Sequence, residues 1–314
     1  MDNKALYLTV ILALLFIIPG FILGKLKIVK ENHLSSLSAI LVYVCTPCII
    51  IPSFMKIEYT VDNLLYMLYF FIASLVIQII FMLIIFIVLK RKYDNPNIRV
   101  FNIASTLGNT GFFGLPVITA LIPSVPLVAA YSGIYVVTMN ILVFTMGTFC
   151  LTNDKKHMTI KKAFINPSFI SLVIAIPLFI FKVKQFIPDT LFNGADLLGK
   201  MSTPLCMIIL GVRLSELTFK YLFLRFYPYL VALFKLIVFP LFAYLCVYFI
   251  PIDASFKASI FILSATPCAA VILNMAEMYN GEKELAANSV LITTLLCVIT
   301  IPLLTLILNA TLNI

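Results

Sequence analysis

Apolar stretches of about twenty residues recur from one end of this 314-residue chain to the other, separated by short polar connectors. A helix needs about 20 mostly apolar residues to cross the hydrocarbon core of a bilayer. The chain is 62% hydrophobic and only 11% charged, whereas a soluble domain carries roughly a quarter charged residues. One oversized soluble core does not explain that excess, but lipid does. The pattern predicts an all-α integral membrane protein. Its ten transmembrane segments are expected near 5–24, 34–54, 64–89, 98–121, 126–150, 165–181, 189–212, 223–250, 255–278 and 285–311. No alternating strand pattern competes with them.

The net charge of +9 does not mark a nucleic-acid binder, because the charges sit in connectors. Basic connectors read as cytoplasmic loops. Fifteen Lys and Arg fall in one set of connectors, among them Lys90, Arg91, Lys92, Lys155, Arg213, Lys220 and Arg225. Five fall in the other set with the N-terminus, and only Lys200 and Lys235 lie inside segments. Both termini are therefore expected outside a plasma membrane. No cleavable leader is expected, and the first apolar run reads as segment 1.

The longest connector divides the chain into 1–150, a linker at 151–164, and 165–314. The halves resemble each other. Ile18-Pro19 matches Ile176-Pro177, Thr46-Pro47 matches Thr203-Pro204, and Gln78 matches Lys235. Pro116 matches Pro267, and Thr138 and Thr145 match Thr293 and Thr300. Five segments is an odd number, so the second half would enter the membrane inverted. Inverted repeats are typical of secondary transporters, which hold solute near the midplane between broken helices.

Gly108-Asn109-Thr110-Gly111-Phe112-Phe113-Gly114-Leu115-Pro116 lies in mid-segment 4. Proline removes a backbone donor and clashes one turn back, and glycine permits close approach. Backbone freed this way cannot face lipid. A half-helix N-terminus offers bare N–H groups suited to a carboxylate, and Asn109 adds a neutral donor. Segment 9 repeats the theme in Ser264-Ala265-Thr266-Pro267-Cys268, where Pro267 should leave Thr266 and nearby backbone unsatisfied. A plain packing kink is the competing reading of both stretches.

These motifs resemble the auxin efflux carrier family, which includes plant auxin exporters and bacterial malate-permease-like proteins. The resemblance rests on Asn109 to Pro116 and on Thr266-Pro-Cys-Ala-Ala-Val-Ile-Leu-Asn-Met-Ala-Glu-Met-Tyr279. Asn166-Pro167-Ser168 and the stretch from Asp196 to Gly211 support it. The resemblance implies two inverted five-helix repeats with crossing broken segments 4 and 9. It implies a scaffold of segments 1, 2, 6 and 7, a moving domain of segments 3–5 and 8–10, an elevator-like cycle and a homodimer. It places Asn109 against a substrate carboxylate, Pro116 and Pro267 at the crossing, and Thr46 and Ser168 beside the site. Cys268 departs from plant members, where Gln is usual, and the long hydrophilic loop of many plant exporters is missing. Both departures favour a bacterial-type carrier.

The expected substrate-binding set is Asn109, Thr110, Gly111, Pro116, Thr266, Pro267, Cys268, Ala270, Thr46, Ser168 and Lys235. A buried cation is costly in a membrane, so Lys235 should face the cavity, a carboxylate or an anionic substrate, unless it snorkels to the interface. Asp196 and Lys200 lie four apart on one helix face and can pair. The other reading makes Asp196 a coupling site for a proton or cation. The seven cysteines, including Cys45 and Cys48, read as small buried residues. His33 and His157 lie far apart, and no metal-ligand spacing, phosphate loop or catalytic triad appears, so neither cofactor nor enzyme is expected. The expected function is secondary transport of small organic anions, malate-like or auxin-like carboxylates. A sodium-coupled symporter of the bile acid type and a ligand-binding membrane sensor are the alternatives.

Overall fold

The computed structural model describes residues 3–154, 156, 158, 160–216, 226–279 and 281–312. Lys155, His157, Lys220 and Arg225 lie outside the described residues. Among the described residues every regular element is helical. Among them seven helices are long and apolar enough to cross a membrane: Tyr7–Lys25, Asn32–Met55, Val61–Lys92, Leu127–Thr152, Asp189–Ser215, Phe226–Tyr248 and Lys283–Leu312, counted over the described residues. They stand where segments 1, 2, 3, 5, 7, 8 and 10 are expected. Segment 6 is the shorter helix Pro167–Ile180.

Segments 4 and 9 are each interrupted. Segment 4 consists of Pro96–Ala104 and, after a gap, the helical stretch Thr110–Leu121. Segment 9 consists of Ala254–Ser264 and Val271–Met278. The two prolines act differently. Pro267 lies in its gap, but Pro116 lies beyond its gap, in the first turn of the α-helix Leu115–Leu121. A proline is tolerated in a first helical turn, where a missing N–H costs little. Thr110–Gly114, just before Pro116, is wound as a π-turn. Leu41–Cys45 before Pro47 and Phe234–Val238 before Pro240 are wound the same way. The wider turn makes room for the proline ring that would otherwise strike the preceding turn.

Lipid tails are as apolar as leucine, so helices in a bilayer associate through close packing of small residues. Segments 1 and 7 meet in this way. Gly20 and Gly24 are spaced as in a GxxxG pattern, and Gly211 and Ser215 repeat that spacing on the partner. A Cβ on Gly20 would overlap the Ile208 carbonyl, and one on Gly211 would overlap the Ile17 carbonyl. Segment 7 also meets segment 2, where a Cβ on Gly199 would come within 2.5 Å of the Cys48 carbonyl. The outward faces of segments 1 and 3, for example Leu8, Leu12, Ile72 and Ile87, are exposed and apolar, as lipid contact requires. Cys45 and Cys48 are free thiols.

Polar side chains tie several segments together. Asp196 receives Lys200 at 2.8 Å, as the four-residue spacing predicts, and also Lys56 at 2.5 Å. Lys56 belongs to the connector after segment 2, so the pair is a three-member cluster tying two segments together. Gln78 donates to the Ser74 carbonyl at 2.9 Å and to the Thr138 hydroxyl at 3.2 Å, joining segments 3 and 5.

Because Gly20 meets backbone, Gly20→Leu should force segments 1 and 7 apart. Overpacking typically costs about 1–3 kcal/mol, so the purified variant should melt at a lower temperature than the parent. Gly194→Ala is the control, because nothing lies within 4 Å of a Cβ there. Equal melting of the Gly20 variant and the parent would show that this contact does not hold the bundle.

Candidate functional site

The two interruptions meet. The Asn109 amide donates to the Pro267 carbonyl at 2.7 Å, and the Ala269 amide donates to the Leu107 carbonyl at 3.1 Å. These reciprocal bonds form an antiparallel bridge between Gly108 and Cys268. The Cys268 amide goes to the Thr293 hydroxyl at 3.0 Å, and the Cys268 thiol to the Ala104 carbonyl at 3.1 Å. Thr266 Oγ1 donates to the Leu263 carbonyl at 2.8 Å. The expectation that Pro267 leaves Thr266 and its surroundings unsatisfied therefore needs correction. Each interrupted segment uses its freed groups to bond the other. In segment 4 the carbonyl that the missing Pro116 N–H leaves over is that of Phe112. It receives the Thr203 hydroxyl of segment 7 at 2.5 Å.

What stays open are helix N-termini. The amides of Gly111 and Phe112, and those of Ala270 and Val271, make no backbone hydrogen bond among the described residues. All four residues line one cavity of about 400 Å³. The first turns of two helices thus bring bare N–H groups and the positive ends of their dipoles to one space. Thr46 of segment 2 and Cys206 of segment 7 close the opposite wall, with Ser168 of segment 6. Asn109 Nδ2 reaches Cys206 Sγ at 3.6 Å, and Asn140 donates to Ser168 Oγ at 2.9 Å. Both contacts cross the cavity from segments 4 and 5 to segments 7 and 6.

Of the expected binding residues, Asn109, Thr110, Gly111, Ala270, Thr46 and Ser168 line this cavity. Pro116, Thr266, Pro267, Cys268 and Lys235 do not. Thr266 and Cys268 are buried in the crossing itself. Lys235 is fully buried, 0% exposed, behind it. It neither faces the cavity nor snorkels to the interface. Asp196 and Lys200 lie away from the cavity, in the cluster with Lys56.

Two basic residues that sequence reasoning assigns to connectors, Lys162 and Arg213, line the cavity. Arg213 donates to Asn274 Oδ1 at 2.9 Å, linking segment 7 to the second helix of segment 9. Its position in the last turn of a helix that continues to Glu216 was the missed signal. Among the described residues no Asp or Glu lines the cavity. Its remaining walls are apolar, including Ile49, Val136, Phe144 and Leu210. A small molecule with an anionic group and an apolar body suits such a space.

A family model described as membrane transport protein matches residues 6–305, nearly the whole chain. The chain belongs to the membrane transport protein family. This is the auxin efflux carrier family that its motifs resemble. An uncharacterized transporter of Methanocaldococcus jannaschii is 26% identical over 302 residues, covering 94% of this chain and 96% of that protein. The chain is thus a multi-pass membrane transporter, and the meeting of its two broken segments lies within the region that carries the family match.

The crossing leaves little room for change. A Cβ on Gly108 would overlap Thr266 Oγ1 and come within 2.9 Å of Lys235 Nζ. Gly108→Ala should push segments 4 and 9 apart and lower the melting temperature, again by an overpacking cost of about 1–3 kcal/mol. A variant that melts with the parent would show that the crossing has slack the geometry does not suggest.

Proposed function

We propose that this transporter is a secondary carrier of small organic anions and that the carboxylate sits between the N-termini at Gly111 and Ala270. The observation that carries this reading is the convergence of two bare helix N-termini on one cavity with basic and apolar walls. A volume of about 400 Å³ falls in the range of small-molecule sites, about 300–1,000 Å³. Asn109 donates its side-chain amide to the bound carboxylate. Arg213 and Lys162 add positive charge, which raises the local concentration of anions. Malate-like and auxin-like carboxylates are the substrate classes to examine.

The proposed architecture is ten transmembrane segments in two inverted repeats, 1–150 and 165–314, joined by the linker 151–164. The antiparallel bridge between Gly108 and Cys268 supports opposite directions for segments 4 and 9. Segments 1, 2, 6 and 7 form the scaffold, and their glycine contacts support treating segments 1, 2 and 7 as one body. Segments 3–5 and 8–10 form the moving domain. The cavity lies between the two bodies, so sliding one past the other would carry bound solute across the membrane as in an elevator. The working unit is a homodimer in a plasma membrane, with both termini outside.

Ligand binding stabilises the bound fold, by about 2.7 kcal/mol at a concentration one hundred times Kd. Purified protein screened against malate, succinate, benzoate and indole-3-acetate should show a raised melting temperature with at least one of them. Asn109→Ala should fold normally yet lose at least tenfold in affinity for that acid, and Arg213→Gln should weaken binding to a smaller extent. Full-affinity binding by the Asn109 variant would remove that residue from the site. Binding without flux in proteoliposomes would replace the carrier by a sensor, and uptake that stops when potassium replaces sodium would make it a sodium symporter.

A further inference from the structure

The cavity uses the N-terminal ends of the broken helices, and the C-terminal ends lie on the far side of the crossing. Ala254–Ser264 ends there with its last carbonyls and the negative end of its dipole pointing into the protein. Carbonyls at such half-helix ends commonly coordinate a metal cation in membrane carriers. Here the Ser264 carbonyl accepts from Lys235 Nζ at 2.6 Å. The same ammonium lies 4.7 Å from the centre of the Phe239 ring. Thr266 Oγ1 and the Gly108 backbone stand close by, since a Cβ on Gly108 would meet both that hydroxyl and the ammonium.

Lys235 reaches this point from segment 8 through the π-turn Phe234–Val238. Among the described residues no carboxylate pairs with it. A fully buried charge without a counter-ion is costly, so what surrounds it must favour a cation. Helix carbonyl, helix dipole and aromatic face all do. The equivalent end of Pro96–Ala104 is closed differently, by the neutral Cys268 thiol on the Ala104 carbonyl at 3.1 Å. The position that matches Lys235 in the first half is Gln78, which is also neutral.

We infer that the Lys235 ammonium is a tethered cation that occupies, at the C-terminal end of helix Ala254–Ser264, the place a bound monovalent cation would otherwise take. The fold therefore carries its own positive charge at the crossing and requires no sodium or potassium ion there. The assignment concerns the crossing itself and stands whether or not the transported solute is a carboxylate.

The test is chemical replacement of the side chain. Lys235→Ala leaves the stem space empty and the Ser264 carbonyl without its ammonium. Melting of the purified full-length variant is followed against n-propylammonium, sodium, potassium and tetramethylammonium chlorides at constant ionic strength. Propylammonium, sodium or potassium should raise the melting temperature of the variant by several degrees in a concentration-dependent way. Tetramethylammonium, which has no N–H and is too bulky, should not. The parent should respond to none of them beyond the shared effect of ionic strength. If no cation stabilises the variant more than the parent, the assignment is wrong, and it is equally wrong if tetramethylammonium works as well as the others. Lys235→Ser leaves space and adds an oxygen, and it is run in parallel. Should neither variant yield folded protein, both are expressed and purified in propylammonium. Recovery of folded protein supports the tethered cation, and continued loss overturns it.

Discussion

Hydrocarbon supplies no hydrogen bonds, so every backbone group that leaves a helix within the membrane must find a protein partner or a wet cavity. Segments 4 and 9 each release several such groups where they break. The chain meets the requirement by bringing the two breaks together. Asn109 N–H finds the Pro267 carbonyl and Ala269 N–H finds the Leu107 carbonyl. Each interruption is therefore stable only because the other is present, and neither segment could break alone without leaving unpaired groups of its own, each costing several kcal/mol. The rest of the arrangement follows from that mutual dependence. The side chains around it are small or hydroxylic, as at Gly108, Thr266 and Cys268, because two backbones within hydrogen-bond reach leave no volume for anything larger.

Pairing at the crossing also separates the charges. Each broken segment has one helix that ends at the break and one that begins there. The beginnings at Thr110–Leu121 and Val271–Met278 present N–H groups to the cavity. The ends at Pro96–Ala104 and Ala254–Ser264 are closed inside the protein by the Cys268 thiol and the Lys235 ammonium. One side of the crossing thus offers bare N–H groups to the cavity, and on the other the carbonyl ends are sealed. Such a division keeps carbonyl ends, which would oppose an anion, away from the cavity.

The sequence made local features legible. Seven of the ten apolar stretches coincide, within a few residues, with helices long enough to cross a membrane among the described residues. The Gly108 to Pro116 and Ser264 to Cys268 stretches marked both interruptions, and the four-residue spacing marked the Asp196–Lys200 pair. Contacts between distant residues were not legible. Thr203 on the Phe112 carbonyl joins residues 91 apart, and Lys56 on Asp196 joins residues 140 apart. No periodicity encodes such pairs. The stretch from Gly108 to Pro116 predicts a break, but its composition does not say which of its residues makes the turn. The chain places Pro116 where a first helical turn tolerates it and lets glycine and Asn109 make the turn. Arg213 was assigned to a loop because charge near a predicted boundary usually lies in water. The helix runs on to Glu216 and carries the arginine to the cavity wall.

Lys235 shows how far an internal repeat constrains chemistry. Both halves break a segment, and the two breaks exchange backbone bonds. Side chains at matched positions need not follow. Gln78 spends its amide on Ser74 and Thr138 and ties segment 3 to segment 5. Lys235 reaches across to the end of a half-helix in segment 9. Sterics at the crossing require each break to fit the other. Nothing forces the two sealed ends to be closed by the same group, provided each carbonyl is satisfied. A thiol suffices at one end, where Cys268 Sγ donates to the Ala104 carbonyl at the end of helix Pro96–Ala104. At the other end the chain uses a full charge. The two sealed ends therefore differ in their electrostatics, although each belongs to a broken segment and each has its carbonyl satisfied.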